Sequence, residues 1–193
     1  MKNNPMEKVL VWLNQAKKSE ISDPDAISLA TVDEKGFPNV RMVLLRKLEK
    51  DSFVFFTNYG SKKAEEIEKS GKVAFAFHWK SLAKQIRVRG LAKKEDGKIA
   101  DDYYYSRALG SRIGAWASKQ SKVLSDRQEL LDRIANAELE LGNDPPRPSF
   151  WGGIRIYPLS IEFWKEGESR LHEREVWTRS DTETDWSSHL LFP

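Results

Sequence analysis

The 193-residue sequence contains no cysteine, which excludes disulfide staples, thiol catalysis and Cys-ligated zinc or iron–sulfur centres and fits a cytoplasmic address. Its three histidines, at 78, 172 and 189, lack the close spacing of a metal site, so no metal is expected. No apolar run approaches the roughly 20 residues that cross a bilayer. The start offers only the short run 9–13, less than the apolar centre of a signal peptide, so neither membrane nor export is expected. A GxGxxG fingerprint, a P-loop, an HExxH pair and a nucleophile elbow are all missing. Rossmann, kinase and hydrolase readings therefore have no support.

What is present is globular in character. Hydrophobic residues make up 39% and charged residues 32%, and the length fits one domain spanning 1–193. Apolar residues at 6, 9, 10, 13 and 16 predict a helix over about 6–17, ended by Asp23-Pro24-Asp25. Short aromatic and β-branched runs predict about eight strands: 27–32, 40–45, 53–57, 73–79, 85–91, 154–157, 161–164 and 175–178. Further helices are expected at 62–70, 99–107 and 126–141, the last opened by a Ser125-x-x-Gln128 box and closed by Gly142. Many strands with hairpin-length links predict an α+β fold, mainly antiparallel β, in which a barrel carries helices on its outside.

Lys and Arg number 32 against 29 Asp and Glu, and their placement is informative. Ser61 can cap a helix whose first turn holds Lys62 and Lys63, against the helix dipole; an anion at that terminus would resolve the conflict, though solvated lysines would too. In Gln85 to Gly90, strand alternation puts Gln85, Arg87 and Arg89 on one face. Arg41 and Arg46 differ in parity and are expected on opposite faces, so at least one approaches buried surface and requires a carboxylate or a bound anion. Tyr103, Arg107 and Ser111 share a helical face if the helix persists, and their phenol, guanidinium and hydroxyl could cradle phosphate. An extended Arg170-Leu171-His172-Glu173-Arg174 would aim 170, 172 and 174 to one side, against solvent or an electron-rich ligand.

These strings resemble one family. Arg41-Met42-Val43-Leu44-Leu45-Arg46, Phe56-Thr57-Asn58, Gly60-Ser61-Lys62-Lys63-Ala64, the run from Gly114 to Ser121, Phe150-Trp151-Gly152-Gly153 and the run from Arg170 to Arg174 are similar to those of pyridoxamine/pyridoxine 5'-phosphate oxidases. The resemblance implies an FMN-binding split β-barrel with peripheral helices, paired as a homodimer whose two FMN sites are built from both chains. By position, FMN would be held by Arg41, Met42, Val43, Leu44, Leu45, Arg46, Phe56, Thr57, Lys62, Lys63 and Gln85, with Gln120, Ser121, Trp164 and Arg174. The substrate phosphate would meet Arg46, Tyr103, Arg107 and Ser111, and the pyridine side would meet the catalytic Arg170 and His172. The implied reaction converts pyridoxamine 5'-phosphate and pyridoxine 5'-phosphate to pyridoxal 5'-phosphate. Hydride passes from C4' to the flavin N5, and O2 then reoxidises the flavin to give hydrogen peroxide, with ammonia released from the amine substrate. Neither nucleic acid nor membrane is implied as a partner.

Arg46 stands where the family usually has Lys, Phe56 where Tyr is common, and Leu190 to Pro193 where Arg-Leu-x-Pro is usual. Two other readings differ in what they require. Another flavoprotein of the same barrel would not need the sets Tyr103, Arg107, Ser111 and Arg170, His172. A basic nucleic-acid module would be colourless and its affinity steeply salt-dependent.

Overall fold

The computed structural model describes residues 4–193. Helix α1 (Pro5–Ser19) starts at Asn4, whose side chain accepts the Met6 N–H, with proline in the first turn where its missing N–H costs nothing. Its stripe Met6, Val9, Trp12, Leu13 and Ala16 is buried, and Trp12 meets Phe163 edge-on at 5.2 Å. Full burial of such a side chain contributes about 1.5–3 kcal/mol, so the helix is held by packing more than by propensity.

Eight antiparallel strands follow in chain order: β1 (Ala26–Val32), β2 (Pro38–Leu48), β3 (Phe53–Asn58), β4 (Lys72–Trp79), β5 (Lys84–Glu95), β6 (Trp151–Lys165), β7 (Glu173–Thr178) and β8 (Ser187–Leu190). Their order is β3-β2-β1-β4-β5-β6-β7-β8, and an additional β3–β6 pairing closes six of them into a barrel. Ile27, Leu29, Phe53, Phe55, Phe77, Ile86, Ile156 and Ile161 are fully buried inside it. Helices α2 (Lys62–Ser70), α3 (Lys98–Tyr105), α4 (Leu109–Ala117) and α5 (Arg127–Leu141) lie outside. The expected α+β barrel is therefore observed. No helix among the described residues is long and apolar enough to cross a membrane.

Several boundaries differ from expectation. The runs 154–157 and 161–164 are one strand, β6, which continues through Pro158 because the register slips by a residue opposite Arg89 and Gly90. Gly90 is required there: a Cβ would stand 2.2 Å from the Tyr157 carbonyl oxygen. Strand β8, exposed throughout and polar up to Leu190, carries no apolar alternation by which to find it. The helix expected over 99–107 stops at Tyr105, and α4 restarts at Leu109, so Tyr103, Arg107 and Ser111 do not share one helix. Asp126, not Ser125, caps α5 by accepting the Glu129 N–H, while Glu129 turns back to the Ser125 N–H and hydroxyl.

Candidate active site

A cleft of about 870 Å³ opens between β2, β3, α2 and the α3–α4 region. Strand β2 lines it with Arg41, Met42, Val43, Leu44 and Arg46. Arg41 and Arg46 reach the same cleft despite their parity because β2 bulges: Leu45 pairs with Phe55 and Lys47 with Val54, leaving Arg46 as the extra residue. Leu45, in contrast, is buried in the core and does not line the cleft. Strand β3 adds Phe56, Thr57 and Asn58, and α2 adds Lys62 and Lys63.

Ser61 begins α2 without a side-chain cap, so the helix start keeps free N–H donors beside two cations. Lys63 is buried, and its ammonium donates to the hydroxyls of Thr57 (3.2 Å) and Ser61 (3.3 Å) and to Gln120 Oε1 (3.1 Å). Among the described residues it has no carboxylate partner. Burial, and then the nearby Arg41 charge, lower its pKa. Arg41 and Lys62 lean instead on the buried Glu66, at 3.5 and 3.8 Å. Three cations around one carboxylate leave a net positive pocket, the electrostatic requirement of a phosphate.

At the other end, Tyr103 from α3, Arg107 from the α3–α4 link and Ser111 from α4 all line the cleft. The break at 106–108 brings together what a continuous helix was expected to align. Arg107 lies over the Trp151 ring at 4.8 Å, its Nη1 is buried with no hydrogen-bond partner, and burial lowers its pKa. A buried guanidinium N–H without an acceptor is costly unless a ligand supplies one. Phe56, Tyr103 and Trp151 stack nearly parallel, Phe56 lying 4.1 Å from Tyr103 and 5.7 Å from Trp151, and form an aromatic wall. Arg46 ion-pairs with Asp25 at 2.8 Å. Gln120 and Ser121 complete the rim.

The remaining expected site residues lie elsewhere. Gln85, Trp164 and Arg174 are register neighbours across β5, β6 and β7. The His172 ring lies 4.7 Å from that of Trp164, and its Nδ1 accepts the Gly167 N–H at 3.3 Å, leaving Nε2 to carry the proton in the neutral ring. Arg174 is bound to Glu162 at 2.9 Å. The extended row expected from 170 to 174 is not formed: Arg170 closes a short 3-10 turn with φ 65 and β7 begins only at Glu173. Arg170 is exposed. This second group does not line the large cleft.

The cleft also contains Asn58, Ala108, Gly114, Ala115, Ser118 and Trp151, which the sequence reading did not assign to the site. Trp151 carried the strongest signal, an aromatic residue directly before Gly152-Gly153. Gly152 admits the Tyr59 hydroxyl, which a Cβ would meet at 2.1 Å.

Residues 13–140 match the family described as pyridoxamine 5'-phosphate oxidase, and residues 151–193 match the pyridoxine 5'-phosphate oxidase C-terminal dimerisation region. A pyridoxine/pyridoxamine 5'-phosphate oxidase of Cereibacter sphaeroides is 57% identical over 94% of this chain and 91% of its own. One from Pelagibacter ubique is 50% identical over 100% and 93%. Among solved structures, PhzG from Burkholderia lata 383, in complex with tetrahydrophenazine-1-carboxylic acid, superposes with a TM-score of 0.92 at 28% identity, covering 98% of this chain and 93% of that one. A pyridoxamine 5'-phosphate oxidase-related, FMN binding protein from Nostoc punctiforme shares the fold, with a TM-score of 0.78 at 17% identity and full coverage of both chains. With matched segments from 13 to 193 and relatives at this identity, the chain belongs to the pyridoxine/pyridoxamine 5'-phosphate oxidase family.

Proposed function

We propose that this chain is the FMN-dependent oxidase that converts pyridoxine 5'-phosphate or pyridoxamine 5'-phosphate to pyridoxal 5'-phosphate. Electrons pass to O2 as hydrogen peroxide, and water consumed with the amine substrate releases ammonia. The observation that carries the reading is a single cleft with a cation at each end withdrawn from solvent, the buried Lys63 and the half-buried Arg107, neither ion-paired among the described residues. Two anion sites on one cavity suit a cofactor phosphate and a substrate phosphate held side by side.

Lys62, Lys63, Arg41 and the open start of α2 would receive the FMN phosphate, with Thr57, Gln120 and Ser121 supplying hydrogen bonds. The β2 segment 42–44 and the row Gln85, Trp164 and Arg174 would border the ring system. Bound there, FMN supplies the two-electron acceptor that side chains lack. Arg107, Tyr103, Ser111 and Arg46 would hold the substrate phosphate, Arg46 by sharing its charge with Asp25. Orienting the substrate in this way lowers the barrier by fixing its reacting carbon. Arg170 and His172 would face the pyridine ring, where the outward Nε2–H of His172 can donate to a ring substituent as charge shifts.

Because Arg170 and His172 lie away from the cleft in their own chain, the complete site would draw them from a second copy in a homodimer. The dimerisation character of the matched segment 151–193 supports that arrangement. Residues 1–193 would act as one FMN-binding unit, cytoplasmic, without membrane or nucleic acid as partner. The test is anaerobic mixing of the FMN-loaded protein with pyridoxamine 5'-phosphate. The flavin absorbance should bleach and return with O2; a flavin that stays oxidised rejects the proposed function.

A further inference from the structure

The Asn143–Pro148 connection before β6 contains three prolines and reads as a spacer. Its one long side chain, Arg147, is turned inward and only 13% exposed. The guanidinium makes three contacts to three different elements. Nη2 meets Asp96 at 2.7 Å just beyond β5, Nε meets Asp101 at 2.6 Å in the first turn of α3, and Nη1 donates to the Trp151 carbonyl at 2.7 Å where β6 begins. The loop that presents Arg147 is itself fastened, because Trp116 Nε1 donates to the Pro146 carbonyl at 2.8 Å and Arg112 pairs with Asp144 at 2.7 Å.

Two of the three anchored points carry the substrate end of the cleft. Asp101 lies two residues before Tyr103 on α3, and Trp151 is the ring on which Arg107 rests. The Tyr103 and Trp151 rings are 6.2 Å apart and within 12° of parallel. Fixing α3 and the start of β6 to one guanidinium therefore fixes the wall against which Arg107 is aimed. The fork geometry matters: a lysine carries the same charge but cannot reach three acceptors in one plane.

We propose that Arg147 is a positioning residue for substrate phosphate: it does not touch the ligand but sets Trp151 and Tyr103 so that the Arg107 guanidinium, stacked on Trp151, is held at the cleft wall. This rests on the substrate-binding role of Arg107 proposed above. Among the described residues no hydrogen bond or ion pair joins Arg147 to α2, so the inference separates the two ends: substrate affinity depends on it and FMN affinity does not.

The test uses the FMN-loaded wild type, Arg147→Gln, Arg147→Lys and Asp101→Asn. KM and kcat are measured for pyridoxine 5'-phosphate, and the Kd of pyridoxal 5'-phosphate is read from quenching of tryptophan fluorescence. Arg147→Gln should raise KM and the pyridoxal 5'-phosphate Kd by roughly tenfold, the scale on which small misplacements act. Its kcat and FMN affinity should stay within about twofold of wild type. Arg147→Lys should recover little of the loss. Asp101→Asn, which keeps the side-chain shape, should show a smaller shift in the same direction and serves if Arg147→Gln fails to fold. Wild-type KM and Kd in a folded Arg147→Gln, or in Asp101→Asn when only that variant folds, overturn the positioning role and leave the proposed function standing. A parallel loss of FMN affinity also overturns it, since that is general destabilisation. A wild type that neither oxidises nor binds these phosphates rejects the proposed function and this inference with it.

Discussion

The large cleft and the β6–β7 corner are both rich in cations, and they treat them in opposite ways. In the cleft, Lys63 is buried and Arg107 half-buried, and no carboxylate among the described residues pairs with either. At the corner, Glu162 holds both Arg174 and Arg87, Lys165 pairs with Glu173, and Lys8 pairs with Glu175. A buried cation satisfied by the protein is structure; one left unsatisfied requires an anion from outside. Arg170, in contrast, is exposed and has no ion pair among the described residues. By this criterion the proposed phosphate sites belong to the cleft, whereas the corner would offer mainly His172 and Arg170 to a ligand in the proposed second copy.

The sharpest way to break that contrast is to remove the cleft's charge. Each charge-assisted contact to phosphate contributes about 1.5–3 kcal/mol. Lys62→Ala with Lys63→Ala should therefore weaken FMN binding by at least roughly 100-fold, read by titrating flavin fluorescence. Removing the corner's Arg174, already neutralised by Glu162, should cost less, and an equal loss would abolish the distinction. Next in size, Arg107→Ala should raise KM for the phosphorylated substrate roughly 10- to 150-fold with FMN content unchanged. Because its Nη1 has no partner in the unliganded protein, thermal melting without substrate should show little loss of stability. Wild-type discrimination between phosphorylated and unphosphorylated vitamers would remove Arg107 from the substrate site.

At the corner, His172→Asn or Arg170→Leu should keep the flavin spectrum yet slow anaerobic flavin reduction by at least about tenfold, or about 1.4 kcal/mol. Stopped-flow reduction at saturating pyridoxine 5'-phosphate is the measurement, and unchanged rates in both variants would make the corner binding surface only. The smallest effect concerns pH. The Lys63 pKa lies below its ordinary 10.5 in the folded, ligand-free protein, so its charge opposes folding below that lowered pKa and the penalty is relieved as pH rises through it. Bound phosphate favours the charged form and draws the pKa back up. FMN affinity should accordingly fall as pH climbs through the lowered value toward 10.5, and Lys63→Met should flatten that dependence.

Much of the barrel was legible because its strands are short β-branched and aromatic runs whose inward residues are the core. The α2 range, 62–70, follows directly from Ser61 at its start and Gly71 at its end, where φ is 63. What sequence periodicity missed were departures from periodicity. The Arg46 bulge cancels a parity argument that holds only for a regular strand. The break after Tyr105 carries no proline or glycine to announce it. The polar edge strand β8 has no buried face to leave a trace. Within the site, the cations were visible as conflicts with a helix dipole or a strand core. Trp151 was visible only as an aromatic residue before a glycine pair, since stacking partners distant in sequence define its role, and Arg147 looked like a charge in a proline-rich link.

Strand β6 has a further consequence. Trp151 and Trp164 stand near its two ends, and at about 3.3 Å per residue the chain path between them is on the order of 40 Å. In the proposed homodimer one chain would therefore contribute half of each of two sites and complete neither alone. Two impaired variants with lesions in different halves, Lys63→Ala and His172→Asn, should complement one another: a mixed pair assembles one site free of both lesions and one carrying both. Co-expressed alleles would exceed the activity of either alone, so in a cell the unit of inheritance for function would be the pair and not the polypeptide.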